Sequence, residues 1–230
     1  MQKIEKYWIS TDNGIAHENL EVLNEFLLNL KLSNKSEATV RKYKSILQMF
    51  LKAIEKSVSD LTSNDVYEWL KEYSIGKKEK SIDLVLATLS KFFQFCIEED
   101  YLDQMVFKKR WRPKIPKSLP KYLTEQEYAK VKRVAESLPL RDRAIVLFLL
   151  STGCRRSELI GLKIEDWDMQ KRTVKVVGKG KKIRLVHISV ECAIVIQDYL
   201  RTRKYISTDP LFLNRWGESL GKTGIYKMIK

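Results

Sequence analysis

The chain has 230 residues, 44% hydrophobic and 31% charged, with few glycines and prolines; this supports one large or two small packed domains and excludes disordered and fibrous classes. No run nears the roughly 20 apolar residues of a membrane span, residues 1–20 lack a signal-peptide core, and Cys96, Cys154 and Cys192 show neither disulfide-framework nor zinc spacing, so a soluble cytoplasmic protein without a zinc site is expected. The net charge of +14 is concentrated in residues 108–230 (29 Lys/Arg, 12 Asp/Glu, net +17) against net −3 in residues 1–107 (14 and 17), which points to a polyanion, nucleic acid before an acidic membrane surface.

The first half reads as helices. Leu20, Leu23, Leu27 and Leu30 share one helical face. Val40, Tyr43, Leu47, Phe50 and Ile54 repeat the same spacing behind Ser36, a candidate N-cap. Thr62 and Asp65 form a capping-box pattern ahead of Val66, Trp69, Leu70 and Tyr73. A fourth stripe runs through Ile82, Val85, Leu86, Leu89, Phe93 and Ile97. None of these helices can bury its apolar face alone, so a small helical bundle is predicted.

Residues 108–121 read KKRWRPKIPKSLPK, with seven Lys or Arg, no acid and three prolines. Proline disfavours helix in the residue before it, so this predicts an extended basic linker at a domain boundary. It is either a solvated spacer or a strap along a phosphate backbone; seven positive charges without a counter-charge favour the strap.

The second half mixes helices and strands. Thr124 and Glu127 form another capping-box pattern, opening a helix through Tyr128, Val131, Val134 and Leu138. Residues 144–150 are apolar all round, predicting a buried central helix that stops at Thr152-Gly153. Residues 173–177 and 183–188 are β-branched runs flanking Gly178-Lys179-Gly180-Lys181-Lys182, a hairpin pattern. Ser189 is placed to cap a helix through Val190, Ile194 and Leu200. The hairpin run 171–184 carries seven Lys/Arg and no acid, whereas a merely solvated hairpin usually mixes signs.

Residues 151–163, STGCRRSELIGLK, resemble the box I segment of tyrosine-type site-specific recombinases (the phage integrase family), T-G-x-R-x-[ST]-E-L. Twenty-four residues after Arg155 comes Lys179 in VVGKGKKIRLV, which looks like the family's β-hairpin lysine. SEATVRKYKSILQMF and LATLSKFFQFCIEE resemble the first long and the last helix of the family's N-terminal core-binding domain, and KSLPKYLTEQE resembles the entry to its catalytic domain.

The resemblance implies a mainly α protein of two domains. An arm or tail (1–17) precedes a helical, SAM-like core-binding domain (18–107). A basic linker (108–117) then leads to a catalytic domain of mixed α+β structure (118–230), mostly helical with a small β-sheet, truncated before box II. It implies binding to double-stranded DNA, with the two domains closing around the duplex, and cofactor-free strand cleavage and rejoining through a 3′-phosphotyrosyl link. Four protomers would act on two paired sites; alone, the chain is expected to be monomeric, and in the cell nucleoid-associated.

Arg155 would grip the scissile phosphate, for which a planar, permanently charged fork is suited, and would offset transition-state charge. Lys179 would protonate the leaving 5′ oxygen; nearby cations such as Arg155, Lys181 and Lys182 would lower its pKa. DNA contacts are expected from the linker (Lys109, Arg110, Arg112, Lys114, Lys117) and from Lys121. Further contacts are expected from Arg156, from the hairpin (Lys181, Lys182, Arg184) and from the first half (Arg41, Lys42). Taken singly, Arg155 reads as a surface ion-pair arginine and Lys179 as a turn lysine; Glu158 reads as a brace for Arg155 or Arg156.

The family's His-x-x-Arg pair and nucleophilic tyrosine have no counterpart here, and Tyr226 falls too early in the pattern. Residues 218–230, ESLGKTGIYKMIK, look like the helix before box II. The chain is therefore expected to be an N-terminal fragment without cleavage activity of its own; the other account is a non-catalytic DNA-binding regulator or degenerate relative on the same clamp.

Overall fold

The structure, a computed structural model, describes residues 6–116, 119–203 and 209–229, without the side chains of Lys179 and Lys222. The chain divides into two compact units, Met1–Leu119 and Pro120–Lys230.

In the first unit the predicted stripes become α1 (His17–Leu32), α2 (Glu37–Ala53), α3 (Ser63–Ser74) and α4 (Glu79–Glu98). Their apolar faces meet in one core. Leu23, Leu27, Leu47, Phe50, Leu89, Phe92 and Phe93 are fully buried. Phe26 meets Phe92 edge-on at 5.4 Å, and Phe50 meets Trp69 and Phe93 at 4.9 and 5.8 Å. Each such side chain removed from water contributes about 1.5–3 kcal/mol, which ties the four helices together. Ser36 caps α2, its side chain accepting from the Thr39 N–H at 3.3 Å.

Thr62 and Asp65 form the capping box of α3. The Thr62 hydroxyl accepts from the Asp65 N–H (3.3 Å) and the Asp65 carboxylate accepts from the Thr62 N–H (2.9 Å). Lys56, at 2.7 Å, and the Thr62 donors hold the Asp65 carboxyl down at about 2. Thr62→Ala is expected to cost about 1 kcal/mol of stability, read as a lower urea midpoint with an unchanged slope.

Two features of this unit have no periodic signal in the sequence. Asn19 is buried inside the bundle; its amide donates to the Lys56 carbonyl and accepts from the Val58 N–H, both at 2.9 Å, pinning the loop after α2. The segment before α1, expected as an arm or tail, lies on α1 and α2: Ser10 N–H donates to Asn24 (2.6 Å), Gln48 donates to the Ser10 hydroxyl (2.8 Å), and Lys31 sits 3.5 Å from the Trp8 ring.

The basic stretch differs from a fully extended linker. Lys109–Trp111 forms a 3-10 turn, and Trp111 packs against Tyr67 (5.7 Å) and Phe107 (5.9 Å). A large aromatic that can bury its ring holds the start of the stretch onto the bundle, and the charged neighbours Lys109, Arg110, Arg112 and Lys114 stay exposed.

The second unit contains α5 (Glu125–Glu136), α6 (Leu140–Thr152), α7 (Arg156–Ile160), β1 (Trp167–Asp168), β2 (Thr173–Val177), β3 (Ile183–His187), α8 (Val190–Thr202) and α9 (Lys222–Ile229). Thr124 and Glu127 cap α5 reciprocally, and the Ser189 hydroxyl accepts from the Cys192 N–H to cap α8. The strands form an antiparallel sheet in the order β1-β2-β3, with Val176 opposite Arg184 and Val177 opposite Ile183. The two-residue β1 is too short to carry an alternation signal.

Ile145 and Phe148 of α6 are fully buried with Val174, Val176 and Ile196. The expectation of all-round burial for α6 needs correcting: Val146, Leu149 and Leu150 line an open groove with Val131, Val134 and Ile229. Cys96, Cys154 and Cys192 are buried as small packing residues, and burial pushes the Cys96 and Cys192 thiols up to about 12. None of the described helices is long and apolar enough to cross a membrane.

Candidate functional site

Residues 151–163 are built on a helix stop. Gly153 ends α6 at φ +59°, a left-handed conformation that a side chain would strain. The chain turns through Cys154 and restarts at once as α7, with Arg155 in extended backbone at its N-cap position. An arginine side chain cannot accept a hydrogen bond, so the capping comes from Glu158. Its carboxylate accepts from the Arg155 backbone N–H at 2.8 Å and from the Arg155 guanidinium at 3.1 Å. The Arg155 side chain is 72% exposed, while that of Glu158 is 3% exposed. A sunken carboxylate thus holds one edge of a solvent-facing guanidinium.

Glu158 has a second partner. Arg184 of β3 places both terminal nitrogens on it, Nη1 to Oε1 at 3.0 Å and Nη2 to Oε2 at 2.8 Å, with Nη2 also 3.7 Å from Cys154 Sγ. The Arg184 fork first, and the Arg155 N–H second, hold the Glu158 carboxyl down at about 2 despite its burial. The sequence assigns Glu158 to Arg155 or Arg156; the structure joins it to Arg155 and Arg184 and leaves Arg156 exposed. Arg184, expected as a DNA contact, gives its fork to this carboxylate. The missed pairing had a weak signal: β3 turns Ile183 and Leu185 outward, 60% and 68% exposed, and puts Arg184 and Val186 on the other face.

The hairpin turn sits against this ion pair. A Cβ at Gly178 would stand 3.2 Å from both Arg184 Nη1 and Glu158 Oε1, so glycine permits the approach. The turn is closed by the Gly178 N–H donating to the Lys182 carbonyl at 2.8 Å, with Gly180 and Lys181 in left-handed backbone at φ +72° and +59°. Lys181 and Lys182 are exposed on it. The Lys179 backbone follows Gly178 directly; its side chain lies outside the described part.

The remaining expected DNA contacts fall in three places. Lys121 is exposed at the start of the second unit, and Lys117 lies outside the described residues. Lys109, Arg110, Arg112 and Lys114 belong to the first unit, as do Arg41 and Lys42 near the start of α2; Arg41 pairs with Glu37 at 2.7 Å. Tyr226 is 57% exposed on α9.

Residues 121–230 match the phage integrase family, and residues 23–100 match the phage integrase N-terminal SAM-like domain. The tyrosine recombinase XerA of Pyrococcus furiosus is 41% identical over 216 residues, covering 91% of this chain and 72% of the relative. The chain belongs to the tyrosine recombinase family. The XerA of Pyrococcus horikoshii is 40% identical over 188 residues, 81% of this chain, and there the match spans 62% of the relative's length. The fold agrees with a recombinase structure: the Tn1549 transposon integrase, solved in complex with circular intermediate DNA, superposes with a TM-score of 0.71 at 17% identity, covering 93% of this chain and 76% of that one. Within the tyrosine recombinase family, then, this chain carries the N-terminal SAM-like domain over residues 23–100 and phage integrase sequence over residues 121–230.

Proposed function

We propose that this chain holds duplex DNA and supplies the phosphate-gripping half of a tyrosine recombinase centre, for site-specific cleavage and rejoining of strands. The observation that carries this reading is the exposed Arg155 guanidinium, anchored on a buried carboxylate next to a hairpin turn rich in lysines. Such a fork can take two oxygens of one phosphate and keep its charge throughout.

In the reaction, a tyrosine oxygen attacks phosphorus and displaces the 5′ oxygen, leaving a 3′-phosphotyrosyl bond; the 5′ hydroxyl of another strand reverses the step. Arg155 offsets the charge on the pentacovalent phosphorus, and Lys179 delivers the proton that lets the 5′ oxygen leave as an alcohol. This sequence contains no His-x-x-Arg pair, so cleavage by these residues would need a segment that supplies that pair and the tyrosine. We expect a monomer in the absence of DNA, four protomers on two paired sites during exchange, and work at the nucleoid.

The test uses the chain itself. Its affinity for duplex DNA, followed by fluorescence anisotropy, is expected to fall steeply with salt, because each neutralised phosphate releases counterions. Replacing Lys109, Arg110, Arg112 and Lys114 together by glutamine should flatten the log–log slope by roughly 2–4, at about 0.9 per lost phosphate contact. An unchanged slope would reduce this stretch to a spacer; salt-independent binding by the parent chain would overturn the DNA-holding role.

A further inference from the structure

We propose that Arg184 is a positioning residue: through Glu158 it fixes the Arg155 guanidinium and the root of the lysine-bearing turn as one rigid unit, and it does not itself touch DNA. The inference rests on the assignment of Arg155 and the turn to the scissile phosphate, and adds to it a residue that makes that assignment work.

Three observations converge on it. First, Glu158 receives four N–H donors, two from Arg155 and two from Arg184. One buried carboxylate therefore links the start of α7 to the middle of β3, which are 29 residues apart in sequence from Arg155 to Arg184. Second, the Arg184 contact is bidentate, the geometry that restrains orientation as well as distance. Third, Gly178 lies against the pair, where an added Cβ would stand only 3.2 Å from Arg184 Nη1 and Glu158 Oε1, and its N–H seals the turn through Lys182. Loss of the Arg184 fork would leave the carboxylate held only by Arg155 and would free the hairpin root from α7.

A phosphate contact and an internal brace respond differently to substitution. For Arg184→Gln, a brace predicts that the Arg155 side-chain Nε–H order parameter, measured by NMR relaxation, drops below about 0.6, into the flexible range. It also predicts that hairpin amides at Val176, Gly178 and Val186 exchange roughly ten times faster, about 1.4 kcal/mol less protection. The salt slope of duplex binding should stay at the parent value. Arg184→Lys retains the charge and loses the fork, so it should show the same loosening.

Arg184→Lys also keeps the test open should Arg184→Gln not fold. An unchanged Arg155 signal and unchanged exchange in these variants, with a slope lowered by about one, would show Arg184 to be a phosphate contact and overturn the proposal. Absence of duplex binding in the parent chain would sink the DNA-holding role alone, because relaxation and exchange on the free chain still decide the role of Arg184.

Discussion

Replacing Arg155 by alanine is expected to reduce covalent strand cleavage by about a thousandfold or more once the chain is joined to a segment carrying the family's histidine, arginine and tyrosine. Removing a preorganised donor from a developing oxyanion costs about 2.7–4 kcal/mol, and Arg155 in the proposed role would contribute a full charge in addition to hydrogen bonds. It is also partly oriented in advance: Glu158 accepts from the guanidinium at 3.1 Å while the side chain remains 72% exposed, so part of its rotamer freedom would already be lost before a phosphate binds.

Duplex affinity should fall far less, because on the proposed reading Arg155 would be one phosphate contact among many. A nicked suicide substrate, which traps the phosphotyrosyl product, separates the two quantities. Normal amounts of covalent product from Arg155→Ala would remove the phosphate grip from the mechanism. Lys179→Ala should slow the same reaction and leave affinity nearly intact; equal losses in both would make Lys179 a phosphate contact instead of the proton donor.

Glu158→Ala should destabilise the unit Pro120–Lys230 by about 2 kcal/mol, the scale of lost charge-assisted hydrogen bonds, seen as a lower urea midpoint. Breaking a buried ion pair costs about 3–5 kcal/mol when the remaining charge is stranded in the interior. Arg184 and Arg155, the cations left behind here, are 40% and 72% exposed and recover water, which puts the expectation below that range. The pH dependence follows from the direction of the shift. In the folded chain Glu158 is held at about 2, below its ordinary 4.5, by the Arg184 fork and the Arg155 N–H. The folded state therefore binds fewer protons than the unfolded state between these values, and stability falls with falling pH across that window. Above pH 4.5 the contribution is complete. The difference in stability between parent and Glu158→Ala should shrink as pH drops from 4.5 towards 2; a difference independent of pH would mean that Glu158 acts by packing and not by charge.

How much of this molecule was legible in its sequence depends on the range over which each feature is decided. The stripe Val40-Tyr43-Leu47-Phe50 and the pairs Thr62/Asp65 and Thr124/Glu127 lie within a few residues of one another, and each appears in the fold as a helix or its cap. Helical periodicity and capping are local, so the chain states them directly. The all-round apolar run of α6 is local too, yet it left open which face is covered: Ile145 and Phe148 are buried, while Val146, Leu149 and Leu150 line an open groove. Trp111 shows the reverse. Its basic and proline-rich neighbourhood announces a linker, but the ring finds Phe107 and Tyr67 and draws the first turn of that stretch onto the bundle.

By itself, the sequence determined the helical stripes, the caps, the hairpin, the charge asymmetry and the T-G-x-R-x-S-E-L pattern that marks Arg155, because each is written in contiguous or regularly spaced residues. Only the tertiary structure decided what the charges at the site do. Arg155, Arg156, Lys182 and Arg184 are all cations to a reader of the chain, but Glu158, sunk between α7 and β3, takes Arg155 and Arg184 and leaves Arg156 and Lys182 exposed. A buried carboxylate recruits the donors that folding brings within about 3 Å, and that distance is set by strand register and by the bare backbone at Gly178.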